Sequence, residues 1–225
     1  MQGDDAPLTL RKKRAVLWEG MHPAPYFKET DEAALRAFLA ERGFGLIIGS
    51  DGGRPIAAHA AFLLDGRTLR FHLSRANALT PVLEAGGRAL AVISGPDAYI
   101  SPDWYGVDDQ VPTWNYLSVE MEGAVTPVGD EAAVRLLDDL SAHFEGKLAP
   151  KTPWTRAKMT PAYFERLLRG IRAFEMRVER LEGITKLGQN KPAEVIERTA
   201  DALAGLGDPM AQEVARLMRE PRRPG

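Results

Sequence analysis

The sequence has no cysteine among its 225 residues. This absence excludes disulfide bonds, thiolate catalysis, iron–sulfur clusters and cysteine-based zinc sites. Net charge is also small, because 29 Lys and Arg side chains face 31 Asp and Glu side chains, for a formal charge of −2. A chain with this balance is not a general electrostatic binder of nucleic acid. No apolar run approaches the ~20 residues that a membrane-spanning helix needs.

The first twenty residues differ from the rest of the chain. They carry a basic patch at Arg11–Arg14, but no long apolar segment follows it, so this stretch is not a secretory signal. We therefore expect a cytoplasmic protein that does not enter a membrane. Residues 1–20 are expected to be a flexible leader or an arm that packs on a partner subunit. Residues 21–206 form the main domain, and residues 207–225 form a C-terminal helix and basic tail.

Several common enzyme motifs are missing. The sequence has no G-x-S-x-G, no H-E-x-x-H and no G-x-x-x-x-G-K-[ST]. The segment Gly43–Gly45 begins like a dinucleotide-binding motif, but Ile48 stands where the third glycine belongs. The four histidines lie far apart, with no pair at helical ligand spacing: His22, His59, His72 and His143. We therefore predict no metal site and assign no catalytic residue.

Alternating apolar and polar residues predict a mainly β protein of the α+β class. Residues 68–74 show the pattern best, with Leu69, Phe71 and Leu73 on one face. Most strands are joined by hairpin-length links, which favours antiparallel pairing. A closed or nearly closed six-stranded barrel with peripheral and C-terminal helices would remove exposed sheet edges. The predicted strands are 44–49, 55–64, 68–74, 89–94, 116–128 and 171–181. The predicted helices are 31–42, 76–85, 130–146, 161–168, 192–203 and 209–218.

Polar groups collect where the third predicted strand ends. His72 and Ser74 share its polar face, and Arg75 and Asn77 follow in the turn before a helix. The N–H groups at a helix start, together with an arginine fork, suit a phosphate. The alternative is that Ser74 only caps the helix while Arg75 lies in solvent.

A second candidate region is aromatic. Residues 99–116 hold two of the four Trp and three of the five Tyr residues. Aromatic faces with a few hydroxyl and amide groups suit a flat heteroaromatic ligand. The alternative is an ordinary aromatic loop held by its prolines. The polar and aromatic candidates here are Ser101, Thr113, Trp114 and Asn115.

Three hydrogen-bond donors precede a C-terminal helix, namely Lys186, Gln189 and Asn190. Asn190 alone can be explained as the helix N-cap, with a proline in the first turn. That alternative leaves Lys186 and Gln189 unexplained, so a ligand contact is also predicted here.

Five blocks stand out when they are considered together: His22–Phe27, Ala57–Leu63, His72–Asn77, Gly95–Tyr105 with Val111–Tyr116, and Lys186–Pro192. They resemble the PaiB family, described as FMN-binding negative transcriptional regulators, and occur in the family's order over residues 21–206. The long Tyr-Ile-Ser-Pro, Trp-Tyr and Val-Pro-Thr-Trp-Asn-Tyr block makes the resemblance specific. It implies an FMN-binding split barrel, similar to pyridoxamine phosphate oxidase and the flavin reductases, that forms a homodimer with FMN at the interface.

The resemblance also implies roles for the residues of the matched blocks. The strand around Ala58 and His59 would lie along the flavin ring, and the turn from His72 through Ser74 to Asn77 would hold the phosphate, with Arg75 as charge partner. The other residues implied to surround the flavin are Ser101, Thr113, Trp114, Asn115, Lys186, Gln189 and Asn190. Two positions depart from the family pattern, Ala78 for proline and Gly188 for serine. The missing serine hydroxyl would remove one hydrogen bond worth roughly 0.5–1.5 kcal/mol.

Three functions follow as hypotheses. The resemblance implies a negative transcriptional regulator, although the sequence has no helix-turn-helix pattern and its basic patches offer phosphate contacts without reading bases. A flavin-dependent oxidoreductase or flavin reductase is the main alternative, in which the flavin carries the electron chemistry. A minor alternative is a haem-binding protein with His59 or His72 as axial ligand.

Overall fold

The structure, a computed structural model, describes residues 21–220. The predicted leader at residues 1–20 and the last five residues of the predicted tail lie outside the described residues. The strands are β1 (Lys28–Glu29), β2 (Phe44–Asp51), β3 (Arg54–Asp65), β4 (Thr68–Ser74), β5 (Arg88–Ile100), β6 (Thr113–Pro127) and β7 (Ile171–Lys186). The α-helices are α1 (Glu32–Arg42), α2 (Leu79–Glu84), α3 (Asp130–Gly146), α4 (Pro161–Leu168), α5 (Ala193–Ala204) and α6 (Pro209–Arg219).

Six strands close into a ring. Their order is β7-β4-β3-β2-β5-β6, every pair is antiparallel, and β6 pairs back with β7. The short strand β1 adds two residues beside the end of β7. The predicted mainly β, six-stranded antiparallel architecture is confirmed, and β1 is an addition to it.

The ring is unevenly paired, so it is not a regular barrel. β6 and β7 pair from Tyr116 to Pro127, whereas β3 and β4 pair only between residues 62–65 and 68–71. β2 and β5 share only the pairs from Leu46 to Ile48. The barrel is therefore open along part of β3, and this opening lies beside the predicted ligand-binding residues.

Side-chain alternation builds the core inside the ring. Leu69, Phe71 and Leu73 of β4 are all buried, as the sequence pattern predicts. Phe71 stacks on Phe174 of β7 with 5.5 Å between ring centroids. Burying one such side chain contributes roughly 1.5–3 kcal/mol, so these rings hold β4 and β7 together.

Helices α1 and α2 add Leu39 and Leu83 to the core inside the ring, whereas the other helices named here pack outside it. α5 and α6 pack together, with Leu203 and Val214 buried in their shared cluster, and α6 also packs against β5. α3 lies on the outer face of the ring and buries Leu136 and Leu140. None of the helices in residues 21–220 is long and apolar enough to span a membrane.

Strand β5 is longer than predicted. The sequence predicts a strand over 89–94 followed by a loop, yet β5 continues through Pro96 to Ile100. Its register with β6 shifts between Ser94 and Asp97. A proline is tolerated at such an irregularity because no ladder hydrogen bond needs its missing N–H group.

The other long strands also extend beyond their predicted bounds. β6 begins at Thr113, and β7 continues to Lys186 because both strands keep pairing there. Lys186 is therefore the last residue of a strand, where the sequence suggests a segment just before a helix. α2 starts at Leu79 and leaves residues 75–78 as a turn, since Asn77 caps Leu79.

Two helix caps that the sequence suggests, Asp130 for α3 and Asn190 for α5, are not observed. The residue before α3 is Gly129, and Asp130 is the first helical residue. The residue before α5 is Pro192, so Asn190 is not its N-cap. Asn190 and its neighbours lie in the connection from β7, and the cap interpretation cannot explain their polar side chains.

The sequence offers Thr30 or Asp31 as the cap of α1, and the structure shows that Asp31 is the cap. The Asp31 carboxylate accepts hydrogen bonds from the N–H groups of Ala33 at 2.9 Å and Ala34 at 3.3 Å. Asp31→Ala is expected to lower the free energy of unfolding by about 1 kcal/mol, because two helix-start donors lose their acceptor. Urea unfolding measures this change. Asp31→Ser, which keeps an acceptor, should retain most of the stability, and equal losses for the two variants would contradict the cap assignment.

Candidate functional site

The turn after β4 is organised by its own polar side chains. Ser74 Oγ accepts a hydrogen bond from the N–H of Ala76 at 3.2 Å, and Asn77 Oδ1 accepts one from the N–H of Leu79 at 2.9 Å. Thr80 Oγ1 donates to the Ser74 carbonyl at 2.7 Å. We name residues 74–77 the phosphate turn. Ser74 and Asn77 shape this turn, which leaves Arg75 as its charged member.

Arg75 is only loosely held. Its backbone N–H donates to the Gly170 carbonyl at 2.9 Å, which ties the turn to the start of β7. Its guanidinium lies 3.7 Å from Glu84, at the outer limit of an ion pair, and its side chain is 45% exposed. Glu84 lies closer to Arg172, at 2.8 Å. The Arg75 guanidinium can therefore turn toward an anion, because it gives up only a weak ion pair with Glu84.

His72 lies next to this turn and is partly buried. Its Nδ1 atom is buried and lacks a hydrogen-bond partner among the described residues. Burial lowers the pKa of His72, because the charged imidazolium is poorly solvated there. The ring is therefore neutral at pH 7 and offers one unmatched polar atom.

The third part of the site is the open edge of β3. Residues 54–61 pair with β2 on one side, whereas pairing with β4 begins only at Phe62. Ala58 points into the core and is 5% exposed. His59 is exposed on the other face, and its ring stacks on Phe44 with 5.7 Å between centroids. This edge can offer backbone hydrogen-bonding groups to a flat ligand.

A separate cluster forms where β6 begins and β7 ends. Lys186 Nζ donates to Thr113 Oγ1 at 2.6 Å and lies 5.7 Å from the Phe27 ring centroid. Trp114 is 52% exposed and meets Tyr99, 49% exposed, edge to face at 6.2 Å. We name these five residues the aromatic edge. Two large rings at half exposure form a ready surface for another flat group.

Other predicted residues around the aromatic edge make contacts within the chain. Gln189 donates to the carbonyls of Thr185 at 2.6 Å and Tyr26 at 3.0 Å. Asn115 is buried, with its amide 3.4 Å from Met218 Sδ. Ser101 Oγ accepts from the N–H of Asp103 at 3.3 Å and starts a short 3₁₀ helix. Asn190 is exposed.

Gly188 accounts for one departure from the family pattern. Its φ of 76° lies in the left-handed region, where glycine fits and a serine side chain would be strained. The position therefore follows a backbone requirement in this chain.

One chain does not bring all the predicted residues together. Ser74 pairs with Ile171 at the start of β7, and Tyr116 pairs with Lys186 at its end. These two positions of β7 are separated by about 50 Å of strand path at ~3.3 Å per residue. The phosphate turn and the aromatic edge therefore lie at opposite ends of the same strand. Crevices of about 450 and 970 Å³ lie elsewhere and include none of the predicted residues.

Four residues of the site were missed in the sequence, and one of them is Tyr99 of the aromatic edge, which belongs to the matched block at residues 95–105. Glu84 and Arg172 contact each other beside Arg75, but only the pairing of β4 with β7 places them there. Phe27, under Lys186, belongs to the matched block at residues 22–27, and that block is the signal that could have indicated Phe27. Within residues 21–220 there is no group of three or more His, Asp and Glu side chains that could hold a metal ion.

The residues present suit FMN. The open β3 edge and exposed rings suit a flat ring system, and Arg75 beside an organised turn suits a phosphate. The unmatched Nδ1 of His72 next to that turn is what a polar ligand would satisfy. An incompletely paired antiparallel ring with these features defines the class of FMN-binding split-barrel domains.

Comparison with known proteins agrees with this class. The chain matches the family described as "Putative FMN-binding domain" over residues 21–180, and it belongs to that family. FMN is accordingly the cofactor of its domain. The chain is 28% identical over 204 residues to the protease synthase and sporulation protein PAI 2 of Bacillus subtilis strain 168. The match covers 89% of this chain and 97% of that protein. The resemblance to the PaiB family is thereby confirmed.

Solved structures share the fold. The FAD and haem binding protein from Mycobacterium smegmatis superposes with a TM-score of 0.55 at 19% identity, over 76% of this chain and 78% of that one. The flavocytochrome Anf3 from Azotobacter vinelandii gives a TM-score of 0.53 at 14% identity, over 72% and 70% of the two chains. At these identities the likeness establishes the split-barrel fold.

Proposed function

We propose that the protein is an FMN-binding homodimer in which each flavin contacts both chains. The observation that carries this proposal is the separation of the phosphate turn from the aromatic edge along β7. A second copy, related by two-fold symmetry, can present its aromatic edge beside the phosphate turn of the first. The exposed rings of Trp114 and Tyr99 would then be covered by the dimer and its ligand.

Each part of the site has a defined task in this proposal. Arg75 binds the FMN phosphate through its guanidinium fork, and Ser74 and Asn77 hold the turn in shape. The β3 edge around Ala58 and His59 gives backbone hydrogen bonds to the ring, and Trp114 of the other chain excludes water from it. When FMN is bound, it supplies the capacity to accept and release electrons.

As its biological role, we propose negative transcriptional regulation of the PaiB type. The match over 97% of the Bacillus subtilis protein, whose name refers to protease synthase and sporulation, supports this role. Direct DNA binding receives little support from the described part of the chain. Four arginines there each pair with at least two carboxylates, namely Arg88, Arg180, Arg216 and Arg219. Regulation through a protein partner or a metabolite therefore fits the surface better.

A flavin-dependent oxidoreductase is the second candidate. The observation that favours it is the likeness of the fold to flavin-binding proteins, among them a flavocytochrome. Rapid flavin reduction by NADH or NADPH in the loaded protein would favour this enzyme. The regulator would be favoured if deleting the protein abolished repression and if a variant that cannot bind FMN had the same effect. A haem absorption spectrum without flavin binding would replace both candidates.

The shared site can be tested by mixing two defective chains. Arg75→Glu damages the phosphate turn and Trp114→Ala damages the aromatic edge, so each homodimer should bind FMN weakly. In mixed dimers, one of the two sites combines the intact halves of both chains. After subunit exchange, about a quarter of all sites are therefore expected to regain wild-type affinity. Flavin fluorescence titration measures this fraction.

Light scattering and an affinity tag on one variant provide the control for this experiment, since they show whether mixed dimers have formed. If mixed dimers form and no affinity returns, each FMN site lies within one chain. A mass that stays monomeric at all concentrations would also contradict the homodimer.

A further inference from the structure

Lys186 carries a charge that its surroundings leave uncompensated. In the described part of the chain, no carboxylate lies within ion-pair distance of its ammonium. Its contacts are the Thr113 hydroxyl at 2.6 Å and the face of Phe27. By comparison, Lys28 and Lys151 each pair with a glutamate. A partly buried cation without an anion in its own chain would be stabilised by an anion from outside this chain.

Burial has a measurable effect on this group. It lowers the pKa of Lys186, and no neighbouring acid acts against that shift. The ammonium is thus less stable here than in water, and a negative charge nearby would recover the lost stabilisation. The phosphate of FMN is a poor candidate for that charge within the proposed dimer, because Arg75 lies in a different half of the site.

The ring of FMN is the better candidate. Lys186 lies directly opposite Tyr116 in the β6–β7 pairing, and Tyr116 shares a face of β6 with Trp114. In the proposed dimer, Lys186 therefore belongs to the half of the site that faces the ring. The oxidised ring is neutral. Addition of two electrons and one proton leaves one net negative charge on it, and an adjacent ammonium favours this charged form.

We propose that Lys186 gives the site a preference for reduced over oxidised FMN by placing an uncompensated ammonium beside the flavin ring. This inference rests on the proposed function, since it needs FMN in the site between two chains. It assigns Lys186 a part in setting the redox behaviour of the bound flavin, beyond holding the cofactor.

The test is a potentiometric titration of FMN bound to the full chain, equilibrated with a reference dye under anaerobic conditions. Lys186→Met should reduce the ratio of oxidised to reduced dissociation constants at least tenfold, which corresponds to a potential lower by about 30 mV for two electrons. The dissociation constant of oxidised FMN should change less than threefold. Lys186→Arg, which keeps the charge, should restore most of the potential.

Lys158→Met, a change on an exposed 3₁₀ helix, serves as the matched control and should leave the potential unchanged. Lys186→Gln provides a second neutral variant if the methionine variant folds poorly. If Lys186→Met binds FMN with an unchanged potential, the inference is overturned and the proposed function stands. Equal weakening of oxidised and reduced FMN binding by Lys186→Met would have the same meaning. Absence of FMN binding by the wild-type chain would overturn the proposed function, and this is visible in the first titration.

Discussion

Arg75→Glu is expected to weaken FMN binding about a hundredfold, equivalent to ~2.7 kcal/mol. The wild-type side chain is 45% exposed and only 3.7 Å from Glu84, so it can reach a phosphate. The substitution removes a charge-assisted hydrogen-bonding fork and places a carboxylate beside a doubly charged group. Arg75→Ala, which only removes the fork, should weaken binding at least tenfold. Flavin fluorescence titration gives both dissociation constants.

Two further variants separate charge from geometry. Arg75→Lys keeps the charge but loses the bidentate fork, so its affinity should fall between those of wild type and Arg75→Ala. Arg135→Glu reverses a charge on the exposed part of α3 and should leave FMN affinity unchanged. A dissociation constant for Arg75→Glu within twofold of wild type would remove Arg75 from the phosphate role.

Gly123→Ala is expected to lower the free energy of unfolding by about 3 kcal/mol. Gly123 is buried on β6 opposite an irregularity of β7, where the register shifts between Glu122 and Gly123. A Cβ atom there would overlap the backbone carbonyl of Arg177. Backbone cannot move aside as a flexible side chain can, so the longest strand pair of the ring must separate. The melting temperature should fall by about 6–12 °C.

Gly146→Ala is the matched control. Gly146 is the last residue of α3, and a Cβ atom added there would have no neighbouring atom within 4 Å. Alanine favours a helix over glycine, so stability should stay equal or rise slightly. Urea unfolding of the two variants measures the difference. Equal stability for Gly123→Ala and the wild type would mean that β6 and β7 are not closely paired at this position.

The sequence predicts the structure best where short-range periodicity determines the bounds and the buried face of an element. The alternation of Leu69, Phe71 and Leu73 placed β4 and its buried face correctly, because adjacent strand residues point to opposite sides. The predicted helix at 161–168 is observed with the same bounds, since a proline opens it. The five sequence blocks identified the family, because they record specific residues at specific spacings.

The errors in strand length and in the neighbours of Arg75 share a long-range cause, whereas the misplaced helix caps of α3 and α5 are local errors. β5 continues past Pro96 only because β6 pairs with it on both sides of the irregularity. The neighbours of Arg75 come from α2 and β7, whose approach depends on strand register. A local sequence pattern cannot predict the register between strands that are about a hundred residues apart in the chain, such as β4 and β7. The predicted division into domains stays a prediction.

By itself, the sequence determined the class of the fold, the cofactor family and the residue types available for a flavin site. These depend on local alternation, turn residues and matched blocks, all of which can be identified along one chain. Only the tertiary structure decided that the phosphate turn and the aromatic edge lie at opposite ends of β7. The physical reason is that pairing across the ring sets the distance between residues, whereas the spacing of motifs along the chain does not.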